Sequence, residues 1–437
     1  MVIALTASLS FAGPAIQRVK SPGGIEAWLV EDHSVPVVAM RVAFRGGSAE
    51  DPPERLGLAN MVASMLDEGA GDLDAQAFRA RLDDNSIGLG FEDSRDLFTG
   101  YLKTLSVNRD LAFDLMALAL AKPRFDAEAL DRIRSAILAR LKRQTGDPDY
   151  LASRLWWQKA FPANPYGRPP DGTVETVSKI DAGDMRGFVA RRMARDNMVI
   201  GVVGDITANE LAPALDRVFG GLPARAQPIV RDDVQPSTAG NIFVIDRQNP
   251  QSVIVFGEAG LKRNDPDYYA AFVMNHILGG GSFSSRLYKE VREKRGLAYS
   301  IYTYLNPLDE AGLIMGGVAT ENSRVAETIA TVRDIWRSMP LAGATAKELS
   351  EAKSYLTGSF ALQFDNTDHI ARLLVSIQLD DLGIDYIDRR NGLIAAVTQQ
   401  DVLRVARRLL DAKSLTFAVA GQPQGLPADS IAEKNVE

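Results

Sequence analysis

The chain repeats itself. Residues 183–205 run from Gly183-Asp184-Met185 through Phe188-Val189-Ala190-Arg191-Arg192-Met193 to Asn197-Met198-Val199-Ile200-Gly201-Val202-Val203-Gly204-Asp205. Residues 400–422 run from Gln400-Asp401-Val402 through Val405-Ala406-Arg407-Arg408-Leu409-Leu410 to Ser414-Leu415-Thr416-Phe417-Ala418-Val419-Ala420-Gly421-Gln422. Each copy reads as an Asp-led amphipathic helix containing Val-Ala-Arg-Arg, a short break, and an apolar strand that closes on glycine. Two copies about 217 residues apart in a chain of 437 imply a duplicated unit.

The rest of each half fits that frame. Each opens on β-like sequence, Ile25 to Val30 and Val37 to Phe44 in the first, Ile242 to Ile245 and Ser252 to Glu258 in the second. Long helical patterns follow, over Asp126 to Thr145 and Lys347 to Leu362. Leu222 to Gly240 is rich in Pro, Ala, Gln and Asp, lacks periodicity and reads as a linker. The expected organisation is an N-terminal half over 1–221, a linker over 222–240 and a C-terminal half over 241–437. Strands mixed with helices, without strict βαβ alternation, predict an α+β fold of helix-covered mixed or antiparallel sheets. Two such halves on a linker would make a hinged clamshell.

Composition narrows the function. With 46% hydrophobic residues the core is ample, and a net charge of −7 argues against nucleic acid as a partner. No run of eighteen apolar residues occurs, so no membrane-spanning helix is expected. The absence of cysteine excludes disulfides. Met1 to Ala15 has no basic residue and reads as a first strand or arm rather than a secretory signal. The compartment is not readable, the periplasm being only favoured over the cytoplasm.

Gly57-Leu58-Ala59-Asn60-Met61-Val62-Ala63-Ser64-Met65-Leu66 reads as a helix start after a strand and a turn. Asn60 and Ser64 share a helix face, both neutral, and Ala63 has no ligand atom. The three histidines, His33, His276 and His369, are too dispersed for a zinc site, which needs Cys, His or carboxylate ligands. Asp67 and Glu68 offer at most a weak oxygen site with Asn60, acidic residues at a helix end being more often solvated. Further on come Asn275-His276-Ile277-Leu278-Gly279-Gly280-Gly281-Ser282-Phe283-Ser284-Ser285-Arg286-Leu287-Tyr288 and Glu290-Val291-Arg292-Glu293-Lys294-Arg295-Gly296-Leu297-Ala298-Tyr299-Ser300. Gly279, Gly280 and Gly281 follow a helix and lack a Gly-Lys-Ser/Thr continuation, so they are not a phosphate loop.

These stretches closely resemble the inverzincin metallopeptidases, the pitrilysin, insulin-degrading enzyme and mitochondrial processing peptidase superfamily. Phe161-Pro162-Ala163-Asn164-Pro165-Tyr166-Gly167, Val202-Val203-Gly204-Asp205 and Ser354-Tyr355-Leu356-Thr357-Gly358-Ser359-Phe360 extend the resemblance from about residue 18 to about residue 422. Active relatives carry His-x-x-Glu-His where this chain has Asn60, Ala63 and Ser64. Their third zinc ligand, a helix glutamate, aligns with Arg140 to within one residue. The resemblance therefore implies a degenerate metal site and no metal or cofactor in this chain. It also implies that Arg292 and Tyr299 reach a substrate near a zinc across a closed clamshell, Arg292 on a helix ending near Gly296 and Tyr299 starting the next strand. The glycine turn would flank the substrate entrance or be a plain helix–helix turn. A bacterial-type heterodimer is implied, in which a homologous partner supplies the zinc and cleaves an unstructured peptide held at a sheet edge. The alternative is an inert scaffold or a peptide-binding clamp of the same fold.

Overall fold

The computed structural model describes residues 13–433, so most of the Met1 to Ala15 arm lies outside the described residues. In the first half the strands are β1 (Gln17–Lys20), β2 (Glu26–Glu31), β3 (Val37–Arg45), β4 (Gly88–Asp93), β5 (Leu97–Leu105) and β6 (Met198–Gly204). The second half contributes β7 (Ile242–Asp246), β8 (Gln251–Ala259), β9 (Ala298–Pro307), β10 (Gly312–Glu321), β11 (Thr416–Gly421) and β12 (Ile431–Glu433). They form two open six-stranded mixed sheets, β1-β2-β6-β3-β5-β4 and β12-β7-β11-β8-β10-β9. Five strands correspond: in both sheets an edge-ward pair is parallel and the remaining pairings run antiparallel. Only the outermost strand differs, β1 pairing antiparallel and β12 parallel.

The repeated helices are Ala182–Arg192 and Gln399–Leu409. The matched aspartates, Asp184 and Asp401, lie inside their helices rather than leading them. Asp181 and Thr398 are the N-caps, and Asp184 and Asp401 are the third helical residues that complete reciprocal capping boxes. In this register Met193 pairs with Leu410 at the C-caps, and Gly204 with Gly421 at the strand ends. The Val-Ala-Arg-Arg match is therefore one residue out of step. Arg191 corresponds to Arg408, whereas the buried Arg192 has Leu409 as its counterpart.

Each half keeps a core between one face of its sheet and its own helices. The opposite faces are covered by exchange. Helix Pro148–Ala160, from the first half, lays Leu151, Leu155 and Trp156 on the second sheet against Ile245, Leu313 and Ala418. Helix Thr367–Leu379, from the second half, lays Ile370, Leu374 and Ile377 on the first sheet against Trp28, Val30 and Val203. A glycine admits each visitor. A Cβ on Gly201 would stand 2.7 Å from the Ala371 carbonyl oxygen, and one on Gly257 would stand 2.8 Å from Trp156. The halves are thus joined by far more than the stretch 222–240, which carries no helix or strand.

Most expected elements form with small shifts. Helix Ala127–Gln144 begins after Asp126, while the Lys347 to Leu362 pattern splits into helix Ala346–Gly358 and a 3-10 segment Ser359–Phe364. The helix expected from Gly57 is short, Leu58–Ala63, and passes into turns.

A polar knot sits at the seam between the halves. The Tyr166 hydroxyl lies 2.8 Å from Asp96 Oδ1, makes a short hydrogen bond with Glu310, and accepts from the Glu310 N–H at 3.1 Å. Arg231 joins it from the connecting stretch, 3.2 Å from Glu50, 3.3 Å from Glu310 and 3.5 Å from Asp96. Replacing Tyr166 with Phe would leave the two carboxyls facing each other without their bridge. We expect Tyr166→Phe to lower stability by about 1–3 kcal/mol, read from the urea midpoint; an unchanged midpoint would show the knot to be dispensable.

Glu258 on β8 is buried, accepts from Trp336 Nε1 at 2.5 Å and from the Asp411 N–H at 3.1 Å, and has no cation beside it among the described residues. Burial raises its pKa from the ordinary carboxylate value to about 8. A raised folded-state pKa stabilises the fold below the unfolded value, near 4.5, and that contribution is lost as pH climbs toward 8. Glu258→Gln removes the titration and keeps the acceptor. The variant should melt close to wild type at acid pH and above it beyond pH 8, the gap being on the order of 2–4 kcal/mol. Parallel melting curves across this range would disprove the assignment.

Candidate functional site

Of the positions where the resemblance implies a degenerate metal site, Arg140 lies on helix Ala127–Gln144, and Asn60, Ala63 and Ser64 lie on helix Leu58–Ala63 and its C-cap. Asp51 builds this helix start, accepting from the N–H groups of Gly57 at 2.9 Å and Ala59 at 3.1 Å. Its own burial pushes its pKa well up. Gly57 has φ +90°, and a Cβ there would stand 2.6 Å from the Asp171 carbonyl oxygen, so only glycine fits.

Asn60 and Arg140 meet. Arg140 Nη2 donates to Asn60 Oδ1 at 2.7 Å, and Asn60 Nδ2 donates to Asp93 Oδ1 at 3.1 Å. Asp171 stands 3.6 Å from Arg140 and accepts from Gln144 at 3.3 Å. Ser64 Oγ turns back to the Asn60 carbonyl at 2.9 Å, and Ala63 is buried in the first core. Burial raises Asp93 to about 6, with Asp171 adding to the rise and Asn60 opposing it. These residues do not fit a zinc: the neutral amide and the hydroxyl are already paired, and a guanidinium brings positive charge to the same place. Among the described residues no cluster of three His, Cys, Asp or Glu side chains is arranged to hold a metal. Glu68 is not the solvated helix-end acid expected from sequence. It is buried and paired with Arg79 and Arg132.

The second cluster surrounds Arg292, on the π-helical segment Lys289–Lys294. Arg292 donates to the Tyr288 hydroxyl, and its guanidinium carbon lies 4.5 Å from the Tyr299 ring centroid, 5.0 Å from Tyr288 and 6.0 Å from Phe283. Contacts of this kind hold a cation electrostatically over the ring faces. Gly296 closes the segment at φ +59°, its N–H bonding the Arg292 carbonyl at 3.0 Å, as a C-terminal glycine cap does. Tyr299 is the second residue of β9, an edge strand, and is 81% exposed. It is no core aromatic.

Gly279 and Gly280 belong to a π-helical turn, His276–Gly280, that packs on β9. A Cβ on Gly279 would lie 2.5 Å from Thr303 Oγ1, one on Gly280 2.7 Å from Asn275 Nδ2, and one on Gly281 2.7 Å from the His276 carbonyl oxygen. The three glycines therefore serve close packing, which composition alone did not reveal. β4 and β9 are equivalent edges of the duplicated sheets, and Asp93 ends one while Tyr299 begins the other. Among the described residues no hydrogen bond, ion pair or ring contact links the Asn60–Arg140 cluster to Arg292 and Tyr299. Sequence reasoning missed Asp93, Tyr288 and Phe283; only the spacing Phe283, Tyr288, Arg292 on neighbouring turns could have signalled the aromatic surround.

Restoring Asn60→His, Ala63→Glu and Ser64→His should not yield tight zinc binding while Arg140 remains. Adding Arg140→Glu should raise affinity at least about tenfold, since a carboxylate replaces a cation at the site. Elemental analysis and competition with a chelator measure it; a triple variant that holds zinc as tightly as the quadruple one would refute the role given to Arg140.

Comparison with known proteins gives the family. The family model "Insulinase (Peptidase family M16)" matches residues 27–173, and "Peptidase M16 inactive domain" matches residues 179–356. A non-peptidase homolog, YmxG, of Helicobacter pylori is 30% identical over 335 residues, covering 76% of this chain and 77% of the relative. An uncharacterized zinc protease of Streptomyces coelicolor, SCO5738, is 29% identical, covering 90% of this chain and 87% of its own. The crystal structure of a peptidase M16 inactive domain from Pseudomonas fluorescens superposes with a TM-score of 0.87 at 28% identity, over 94% of this chain and 98% of that one. This chain belongs to the M16 (insulinase) peptidase family, and its likeness to an inactive domain and to a non-peptidase homolog supports a non-catalytic member.

Proposed function

We propose that this chain is the metal-free subunit of a two-chain M16 peptidase. A homologous partner would carry His-x-x-Glu-His and its zinc, and hydrolyse an unstructured peptide in a chamber shared by both chains. This chain contributes Arg292 and Tyr299. The observation that carries the reading is the contrast between the two clusters: the metal positions are filled by a self-paired polar network, while Tyr299 stands 81% exposed on an edge strand with Arg292 against its ring.

The chemistry suits those residues. A tyrosine hydroxyl can donate to a peptide carbonyl oxygen as it gains negative charge, and an arginine can hold neighbouring carbonyls. Tyr288 and Phe283 set Arg292 in place before a peptide arrives. Gly279, Gly280 and Gly281 would flank the peptide's approach from the β9 side. The alternative reading is an inert scaffold or a peptide-holding clamp. Exposed Tyr299, Tyr302 and Tyr304 along the β9 edge favour the clamp over a plain scaffold.

The test uses this chain mixed with the homologue that carries His-x-x-Glu-His. Tyr299→Phe keeps the ring and removes the donor, and turnover of a quenched peptide should fall about 10²–10³-fold with complex formation intact by gel filtration. Arg292→Ala should act more through substrate affinity, because a cation on carbonyls serves ground and transition states alike. Wild-type turnover by a normally formed Tyr299→Phe complex would reduce this chain to a scaffold.

A further inference from the structure

The exchanged helix Thr367–Leu379 does not close fully on the second half. Between it, helix Tyr268–Asn275 and helix Tyr386–Ala396 lies a cavity of about 440 Å³, within the range of small-molecule sites. Its walls divide by chemistry. Phe272, Phe360, Leu373 and Ile377 make an apolar side, and Arg263 and Arg390 bring two guanidiniums to the same cavity.

Both cations are set on aromatic faces. The Arg263 guanidinium carbon lies 4.0 Å from the Tyr268 ring centroid, and its Nη2 donates to the hydroxyls of Tyr269 at 3.1 Å and Tyr386 at 3.2 Å. Arg390 lies 4.1 Å over Phe360 and gives one nitrogen to the Leu356 carbonyl at 3.1 Å. The charges are not balanced. Among the described residues Asp380 is the only carboxylate lining the cavity, and it forms an ion pair with Arg263 at 3.6 Å. Among the described residues no carboxylate forms an ion pair with Arg390. Two fixed cations, one anion that pairs with only the first of them, and an apolar wall are the complement of a monoanion with an apolar body. A larger cleft of about 710 Å³ shares Arg263, Tyr269, Asp380, Leu382 and Tyr386 with it, and offers a way in from solvent.

We propose that this cavity binds an apolar carboxylate, either a free organic acid or the C-terminal residue of a peptide, with Arg263 and Arg390 on the carboxylate and Phe272, Phe360, Leu373 and Ile377 around the body. The site is independent of the pairing proposed above, since every lining residue belongs to this chain. It also spans the exchanged helix and the body of the second half, so an occupied cavity would tie the two together.

Isothermal titration of the full chain tests it with octanoate, with octanamide, and with an acetylated Ala-Ala-Leu peptide as free acid and as C-terminal amide. Saturable one-to-one binding of at least one acid is expected, with its amide at least about tenfold weaker, as loss of a charge-assisted pair predicts. The preferred acid identifies the source. Arg390→Met should weaken the acid about tenfold or more and leave the amide unchanged, and Arg390→Lys should recover part of the loss. Should Arg390→Met fail to fold, the contrast of acid and amide on the wild-type chain decides alone. No saturation by either acid up to about 10 mM, or equal binding of acids and amides, would overturn the proposal.

Discussion

Each sheet of this protein buries one face under its own helices and the other under a helix borrowed from the opposite half. Neither sheet can be covered on both sides by its own half, because the helix that would complete it is packed elsewhere. Trp156 illustrates the dependence: it is wholly buried on the second sheet, donates to the Thr416 carbonyl at 3.3 Å, and is delivered by a helix that the first half supplies. In return Asp368 comes back to the first sheet and takes Arg41 in a two-pronged ion pair at 2.9 and 3.1 Å. Burial on this scale outweighs any single polar contact at the seam. On the function proposed above, a chamber that opens and closes would form against the second chain, because within this one the halves are interlocked.

The seam also shows why polar groups are tolerated there. Tyr166, Asp96, Glu310 and Arg231 are withdrawn from water where β10 and its preceding turn approach the first half; Tyr166 bridges the two carboxyls and Arg231 stands in ion-pair range of both, while among the described residues its Nε and Nη1 find no hydrogen-bond partner. Burial raises the pKa of Asp96 and of Glu310, with Arg231 opposing both rises. A tyrosine hydroxyl between two carboxyls has one proton to give, so the bridge is complete when one carboxyl keeps its own. Such a knot orients the halves more than it strengthens them, since the desolvation of its charges offsets much of their attraction.

How far the sequence exposed this structure depends on what kind of signal each feature leaves. Apolar runs located β2, β3, β6, β7, β8 and β11 within a residue or two, because alternation and turn residues are local, whereas they did not single out β1, β4, β5, β10 and β12. The duplication announced two matching sheets, and glycines at 204 and 421 marked equivalent strand ends. The exchange left no such mark. Leu151, Leu155 and Trp156 show that a helix face is buried, but periodicity does not say against which sheet. The Val-Ala-Arg-Arg match misled by one residue, since matched letters carry no register, whereas the capping boxes do. Arg140 was placed near Asn60 by alignment alone, while Asp93, on a strand distant in sequence from both, became visible only through the fold.

The duplicated unit brings a polar cluster to the same edge of each sheet, and the two have opposite characters. At the end of β4 the amide of Asn60 is held on one side by Arg140 and on the other by Asp93, so its donor and acceptor are both spent inside the protein. At the start of β9 the hydroxyl of Tyr299 projects from a ring that is itself anchored by a cation. A half-buried group already paired must give up a hydrogen bond before it can take a ligand, and little is gained by the trade. An exposed group on a fixed base trades only with water, and gains most when a second surface closes over it and excludes that water. On the function proposed above, the β9 edge is where this chain would offer its chemistry to a peptide, against a surface that the partner would provide.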